Sequence, residues 1–289
     1  MATVRATAAG SARRGLHAAV RLLRVAAVVV LGWLAVTLLF PACTVATRQR
    51  LIGLWARGVL SSLGIRAVCT GRMRAGPRLI VANHVSWLDI LAIHAHDPAA
   101  RFVAMAELQH WRCVRRLVGS AGTIYLQRRR PRDLRRAVQA AAQALREGDA
   151  VAVFPEGVVS DGQCLLPFHG NFLQAAIDAG APVQAVALRY VELGASDPAD
   201  PCAPAPTSPA VLFTGDITLA QSLWRLAFAE GLELRMHVLP VRPGPHEETR
   251  RVIARQLQHQ VEAALARERP MGAAQSAREP AAADAVPVA

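Results

Sequence analysis

Apolar and polar positions divide the chain into three regimes. Residues 1–24 are Ala-rich and basic, residues 25–46 form a 22-residue stretch without a charge, and from about residue 65 short apolar runs alternate with helix-period segments. The uncharged stretch centres on VAAVVVLGWLAVTLLF. A helix needs about 20 apolar residues to cross a bilayer. Pro41 interrupts helical bonding near the end of the stretch, and its strictly apolar core is only 16 residues. A spanning helix and a re-entrant or interfacial one therefore both fit. A secretory signal is the competing reading, but the basic lead is long and no small-x-small cleavage site follows. A retained membrane segment is expected. Arg13, Arg14, Arg21 and Arg24 precede it and Arg48, Arg50 and Arg57 follow, which leaves orientation open with a preference for a cytoplasmic N-terminus. Residues 47–63 set apolar positions at helical spacing against Arg on the opposite side, a pattern suited to a helix on an anionic membrane surface.

Beyond this segment, runs at 65–70, 78–82, 102–105, 123–127, 150–154, 183–189 and 232–239 predict strands. Periodic segments at 87–94, 107–118, 131–147 and 172–179 predict helices between them. Such alternation predicts an α/β domain with a mostly parallel, buried sheet flanked by helices. The predicted organisation is a basic membrane-anchoring segment (1–63), an α/β domain (64–245), a charged terminal helix (246–269) and a disordered Ala/Pro tail (270–289). A Pro-, Ala- and Asp-rich surface loop is expected over 194–210.

Composition sharpens the membrane reading. The chain is 53% hydrophobic with mean hydropathy +0.25. Its formal charge is +12, and residues 1–88 hold twelve Arg and no acid, so the remaining 21 basic and 21 acidic residues cancel. The excess cations flank the apolar stretch, where they meet lipid head groups; a nucleic-acid partner is not expected. Lys is absent, which excludes Schiff-base, P-loop and PLP-lysine chemistry. The five cysteines have no CxxC or zinc-like spacing, consistent with reduced thiols.

Candidate chemistry begins at Asn83-His84-Val85-Ser86-Trp87-Leu88-Asp89, where the first acidic residue of the chain follows a histidine by five positions. The block leaves an apolar run and enters a helical segment, as active-site loops of open α/β sheets do. Asp89 is positioned to accept from one ring nitrogen of His84, leaving the other to take a proton from a hydroxyl. A plainer reading stands beside it: Ser86-x-x-Asp89 is also a capping box. A second block, Gly122-Thr123-Ile124-Tyr125-Leu126-Gln127-Arg128, ends on an Arg suited to a phosphate. Arg130 and Arg132 read as a solvated basic run. A third, Phe154-Pro155-Glu156-Gly157 followed by Ser160-Asp161-Gly162, presents Glu156 in a turn shaped by Pro155 and Gly157. His94-Ala95-His96-Asp97 lacks the spacing of a metal motif, and no metal is expected. Trp87, Trp111 and Trp224 read as core or interfacial residues.

In order and spacing, the three blocks resemble the glycerolipid acyltransferase family, with its NHxSxxD, G-x-hydrophobic-aromatic-hydrophobic-x-R and FPEG patterns and a later Pro-containing apolar strand. The resemblance covers residues 65–240. It implies that His84 is a general base oriented by Asp89, and that a lysophospholipid hydroxyl, 1-acylglycerol-3-phosphate before others, attacks an acyl thioester. Acyl-CoA or acyl carrier protein is the co-substrate, with no cofactor. Asn83, Ser86, Arg128, Glu156 and Gly157 match positions tied to acceptor binding. The implied location is the inner membrane, with the site facing the cytoplasm. Three positions depart from the family pattern: Val158-Val159 replace its Thr-Arg, Met105 stands where many members carry Lys, and Ala185 stands where a second Pro is common. The segments around Ser160-Asp161-Gly162, Leu166-Pro167-Phe168 and Gly215-Asp216 resemble a bacterial branch that acylates lyso-ornithine lipid, whose acceptor has no phosphate. A non-catalytic, basic membrane-tethered lipid-binding protein is the remaining alternative.

Overall fold

Successive side chains of a strand point to opposite faces, and in the central strands both faces are apolar. In β2 (Arg78–Ala82), Leu79 and Val81 enter one core while Ile80 and Ala82 enter the other, all fully buried. A computed structural model describes residues 2–106, 112–126, 131–193 and 206–267. Its remaining strands are β1 (Ile65–Thr70), β3 (Arg101–Met105), β4 (Ile124–Leu126), β5 (Ala150–Val153), β6 (Val183–Glu192) and β7 (Leu232–Arg242). They form one mixed sheet in the order β1-β7-β6-β2-β5-β3-β4. From β6 to β4 all neighbours are parallel; β7 runs antiparallel to β6 and carries β1 parallel to itself. The fold is therefore α/β with a mostly parallel sheet, as the alternation predicts.

Helices cover both faces. One core joins the sheet to α2 (Val45–Ser62), α3 (Leu88–His96) and α7 (Leu219–Phe228). The other joins it to α5 (Pro131–Arg146), α6 (Leu173–Ala179) and α8 (Arg250–Ala266). Helix α4 (Arg112–Ser120) leads into β4. The ends of β2 and β5 lie side by side in parallel, so the loops after them share one edge of the sheet. On the other side of β2, β6 runs on past the point where β2 stops, because its long antiparallel ladder with β7 continues to Glu192.

The N-terminal region is a helical hairpin. Helix α1 (Ala2–Leu34) continues through a π turn (Ala35–Leu39) and a 3₁₀ turn (Phe40–Ala42) containing Pro41. The chain then reverses into α2, whose first turn is capped by Thr44 accepting from the Thr47 amide. Among the described residues, Ala12–Ala42 is the one helical stretch long and apolar enough to cross a membrane, and it is mostly exposed. Gly32 lets the two helices approach: a Cβ there would fall 2.4 Å from Trp55 Nε1. Trp55 donates from that nitrogen to the Val28 carbonyl at 3.0 Å. Arg21 ties α1 to the end of α7 by donating to the carbonyls of Ala227 and Ala229.

Some sequence expectations need correction or completion. Residues 47–63 were expected as a helix with its apolar side on lipid; in α2 that side, with Gly53, Ala56, Val59 and Leu60, is buried against the domain. The small residues at 53 and 56 are what permit this close packing. Strands β6 and β7 outrun the ranges 183–189 and 232–239. Helix α7 was not anticipated, although Thr218 and Gln221 form a complete capping box at its start. The terminal helix spans Arg250–Ala266 within the expected 246–269. Residues 107–111 (including Trp111), 127–130, 194–205 and the tail from 268 lie outside the described residues.

Candidate active site

The loop after β2 is held by its own side chains. Asn83 is buried and pairs with the backbone of Leu188 in both directions: Nδ2 donates to the carbonyl at 2.9 Å and Oδ1 accepts from the amide at 2.8 Å. The amide side chain thus continues the β2–β6 ladder by one more rung. Wholly buried, Asp89 lies in the first turn of α3. Its Oδ2 accepts from the Val85 amide at 2.8 Å, from the Ser86 amide at 2.9 Å and from His84 Nδ1 at 2.8 Å. Only half of the expected capping box forms. The carboxylate holds the Ser86 amide, while Ser86 Oγ is buried without a partner among the described residues.

An ionised carboxylate only accepts hydrogen bonds, so the His84 proton resides on Nδ1 and a neutral ring presents an unprotonated Nε2. The His84 side chain keeps 17% of its exposure, against none for Asp89. One face of its ring stacks on Phe154, with centroids 4.0 Å apart and planes 9° from parallel. Phe154 stacks in turn near Phe102, and Phe102 meets His94 edge-on. Stacking and the Nδ1 bond together fix the ring in position and rotation.

The loop after β5 holds the His84 backbone. The Gly157 amide donates to the Phe154 carbonyl at 3.1 Å, closing a turn in which Gly157 has φ +76°, a conformation glycine adopts freely. In that turn Glu156, 3% exposed, accepts from the His84 amide at 2.6 Å with one oxygen and from the Leu166 amide at 3.0 Å with the other. Burial pushes its carboxyl above the ordinary range, and the two donated amides pull it partly back. Ser160 holds the other side of the same peptide: its amide and hydroxyl both donate to the His84 carbonyl, at 2.8 and 3.1 Å. Val158, between them, is an exposed apolar side chain.

The structure therefore brings His84, Asp89, Asn83, Ser86, Glu156 and Gly157 to one edge of the sheet. Arg128 lies outside the described residues; β4 ends at Leu126 three strands from β2, about 14 Å at the usual strand spacing. Phe154 and Ser160 stand in the third sequence block, but the sequence assigns neither a role; the stacking of Phe154 on His84 and the hold of Ser160 on the His84 carbonyl come from the fold. Asp97 makes a buried ion pair with Arg78, and among the described residues no three or more His, Cys, Asp or Glu side chains are placed to hold a metal ion together. Trp87 donates from Nε1 to Ser222 Oγ at 3.0 Å, and Trp224 is exposed on α7.

This geometry holds a hydrogen-bonded imidazole in an accessible position, fixed from both sides of its backbone. The family pattern described as Acyltransferase matches residues 66–189. A 1-acyl-sn-glycerol-3-phosphate acyltransferase of Neisseria meningitidis is 33% identical over 76% of this chain and 82% of its own. A lyso-ornithine lipid O-acyltransferase of Pseudomonas aeruginosa is 34% identical over 81% of this chain and 86% of its own. The crystal structure of a 1-acyl-sn-glycerophosphate acyltransferase from Thermotoga maritima shares the fold, with TM-score 0.61 at 16% identity over 88% of this chain and 96% of that one.

Proposed function

This chain belongs to the Acyltransferase family, and we propose that it is a membrane-bound enzyme transferring a fatty acyl group from a thioester to the free hydroxyl of 1-acylglycerol-3-phosphate. The observation that carries this reading is the His84–Asp89 pair, with Asp89 Oδ2 also fastened to two backbone amides. His84 Nε2 takes the proton of the acceptor hydroxyl as its oxygen bonds to the thioester carbonyl carbon. The tetrahedral adduct collapses by breaking the carbon–sulfur bond, and the imidazolium returns the proton to the leaving thiolate. Asp89 keeps the ring in the Nδ1–H form and stabilises its cation. General-base catalysis of this kind contributes on the order of 10²- to 10⁴-fold. Acyl-CoA or acyl carrier protein is the donor. Glu156, with both oxygens on backbone amides, acts by holding the His84 loop, while Arg128 is the candidate for the acceptor phosphate.

The membrane reading rests on the α1–α2 hairpin. Leu23, Leu31, Leu38 and Leu39 are exposed along it, and both of its arms pack on the catalytic domain. We assign the enzyme to the cytoplasmic face of the inner membrane, where the site meets a lysolipid without extracting it from the bilayer. A second acceptor reading, lyso-ornithine lipid, is favoured by Val158-Val159, which puts an exposed apolar side chain where the family carries Thr-Arg. The test is turnover of labelled acyl-CoA, and separately of labelled acyl carrier protein, by the full chain with each lysolipid. Labelled phosphatidate is the expected product. Acylation confined to lyso-ornithine lipid would replace the acceptor, and thiol release with neither lysolipid would refute the acyltransferase step.

A further inference from the structure

Tyr190 is one of two tyrosines in the chain and is wholly buried in β6. It shares a face of the strand with Val186 and Leu188, in the core that includes Val85, Leu88 and Ala92. Leu188 is the residue whose backbone Asn83 grips, so the 83–87 loop lies over this part of β6. Three polar atoms here, the Tyr190 hydroxyl, Asp89 Oδ1 and Ser86 Oγ, are fully buried with no hydrogen-bond partner at ordinary distance and angle among the described residues, although the phenol and the Asp89 carboxylate lie close enough to interact. A buried polar group left alone is costly, and natural cores rarely keep one without use. Phenylalanine would fill the same space in this apolar surrounding without that cost.

We propose that Tyr190 is a positioning residue for the acyl-transfer reaction: its hydroxyl donates to Asp89 Oδ1 and thereby locks the carboxylate with Oδ2 on His84 Nδ1. This rests on His84 and Asp89 being the base and its orienter. Asp89 Oδ2 already serves three donors, whereas no backbone amide serves Oδ1, and the phenol is the group beside Asp89 able to do so. Burial first, and then the neighbouring Asp89 carboxylate, hold the phenol well above its ordinary pKa. It therefore remains a proton donor across the working pH range. A donor on Oδ1 also draws charge away from Oδ2, which moderates how strongly Asp89 stabilises the His84 imidazolium. Tyr190 acts through Asp89 and touches no substrate.

The test uses the full-length protein in lipid vesicles and compares wild type, Tyr190→Phe and His84→Ala. For Tyr190→Phe, kcat should fall about tenfold with lysolipid KM within about twofold of wild type. The acid limb of its kcat/KM profile should also move to higher pH, since an undrained carboxylate holds the imidazolium proton more tightly. The retained ring preserves packing, so the variant should stay cooperatively folded, with a Tm lowered only by the loss of one buried hydrogen bond. A Tyr190→Phe protein with wild-type kcat and an unmoved acid limb overturns the proposal, whatever its Tm. The His84→Ala arm separates this failure from that of the parent reading. An inactive His84→Ala beside an unaffected Tyr190→Phe rejects only the role of Tyr190. An active His84→Ala rejects the base itself, and the proposal with it.

Discussion

The environment of His84 is built mostly from main-chain contacts, and this decides which of its features a sequence can reveal. His84 and Asp89 stand out because their spacing crosses a loop into the first turn of a helix, and a turn of that geometry folds the carboxylate back onto the ring. Glu156 is different: the sequence presents a carboxylate in a turn, and only the fold shows both its oxygens on the amides of His84 and Leu166. Glu156→Gln turns one of those acceptors into a donor facing an N–H. Stability should fall by about 1–3 kcal/mol in thermal unfolding, and kcat should fall more than KM rises, because the His84 loop loosens. His94 offers a pH test. Burial holds its pKa at about 4, against an ordinary 6.5. Between those values the unfolded chain binds a proton that the folded chain refuses. Stability therefore drops as pH falls from 6.5 towards 4, by at most about 3 kcal/mol for this group. His94→Leu should flatten that part of the Tm–pH curve relative to wild type, and parallel curves would contradict the assignment.

The unit β2–loop–α3 is clamped at its open end by an ion pair between Arg78, at the start of β2, and Asp97, just after α3. Arg78 also donates to the Gly76 carbonyl at 2.8 Å. Burial lowers the pKa of the guanidinium and raises that of the carboxyl, so each needs the other. Asp97→Ala leaves a buried cation unpaired and should cost about 3–5 kcal/mol in chemical denaturation. The same residue had read as part of a weak metal motif. Its partner lies 19 positions away, and local spacing carries no record of that contact. All seven strands were legible; β2, β5 and β6 most plainly, because central strands of a mostly parallel sheet are near-continuous apolar runs bounded by turns. Their order was not, since it depends on which edges meet, and neither was the reversal of β7 against β6. The burial of one face of α2 was hidden for a related reason. An amphipathic helix looks the same whether its apolar side meets lipid or protein, and Gly53 and Ala56 decide the matter only once α3 is seen beside them.

Taken whole, the molecule is a helix-flanked sheet domain with a helical hairpin fastened to it, whose first arm is apolar and mostly exposed. Its basic excess lies wholly before residue 89, beside that hairpin. Leu31 and Leu38 point away from the domain, at 64% and 66% exposure, so replacing them should not disturb folding. The double variant Leu31→Glu/Leu38→Glu should keep its Tm yet lose most co-sedimentation with vesicles, each buried acid costing roughly 2–3 kcal/mol of insertion. Undiminished pelleting would show that the hairpin does not hold the protein on lipid. Every other feature of the proposed enzyme depends on one imidazole. The decisive measurement is single-turnover transfer of a labelled acyl chain from acyl-CoA to lysolipid by vesicle-bound His84→Ala beside wild type, with Tm and pelleting checked in parallel. Transfer should fall by about a thousandfold or more while Tm and pelleting stay at wild-type values. Near-normal transfer by the folded, membrane-bound variant would mean that another group deprotonates the acceptor.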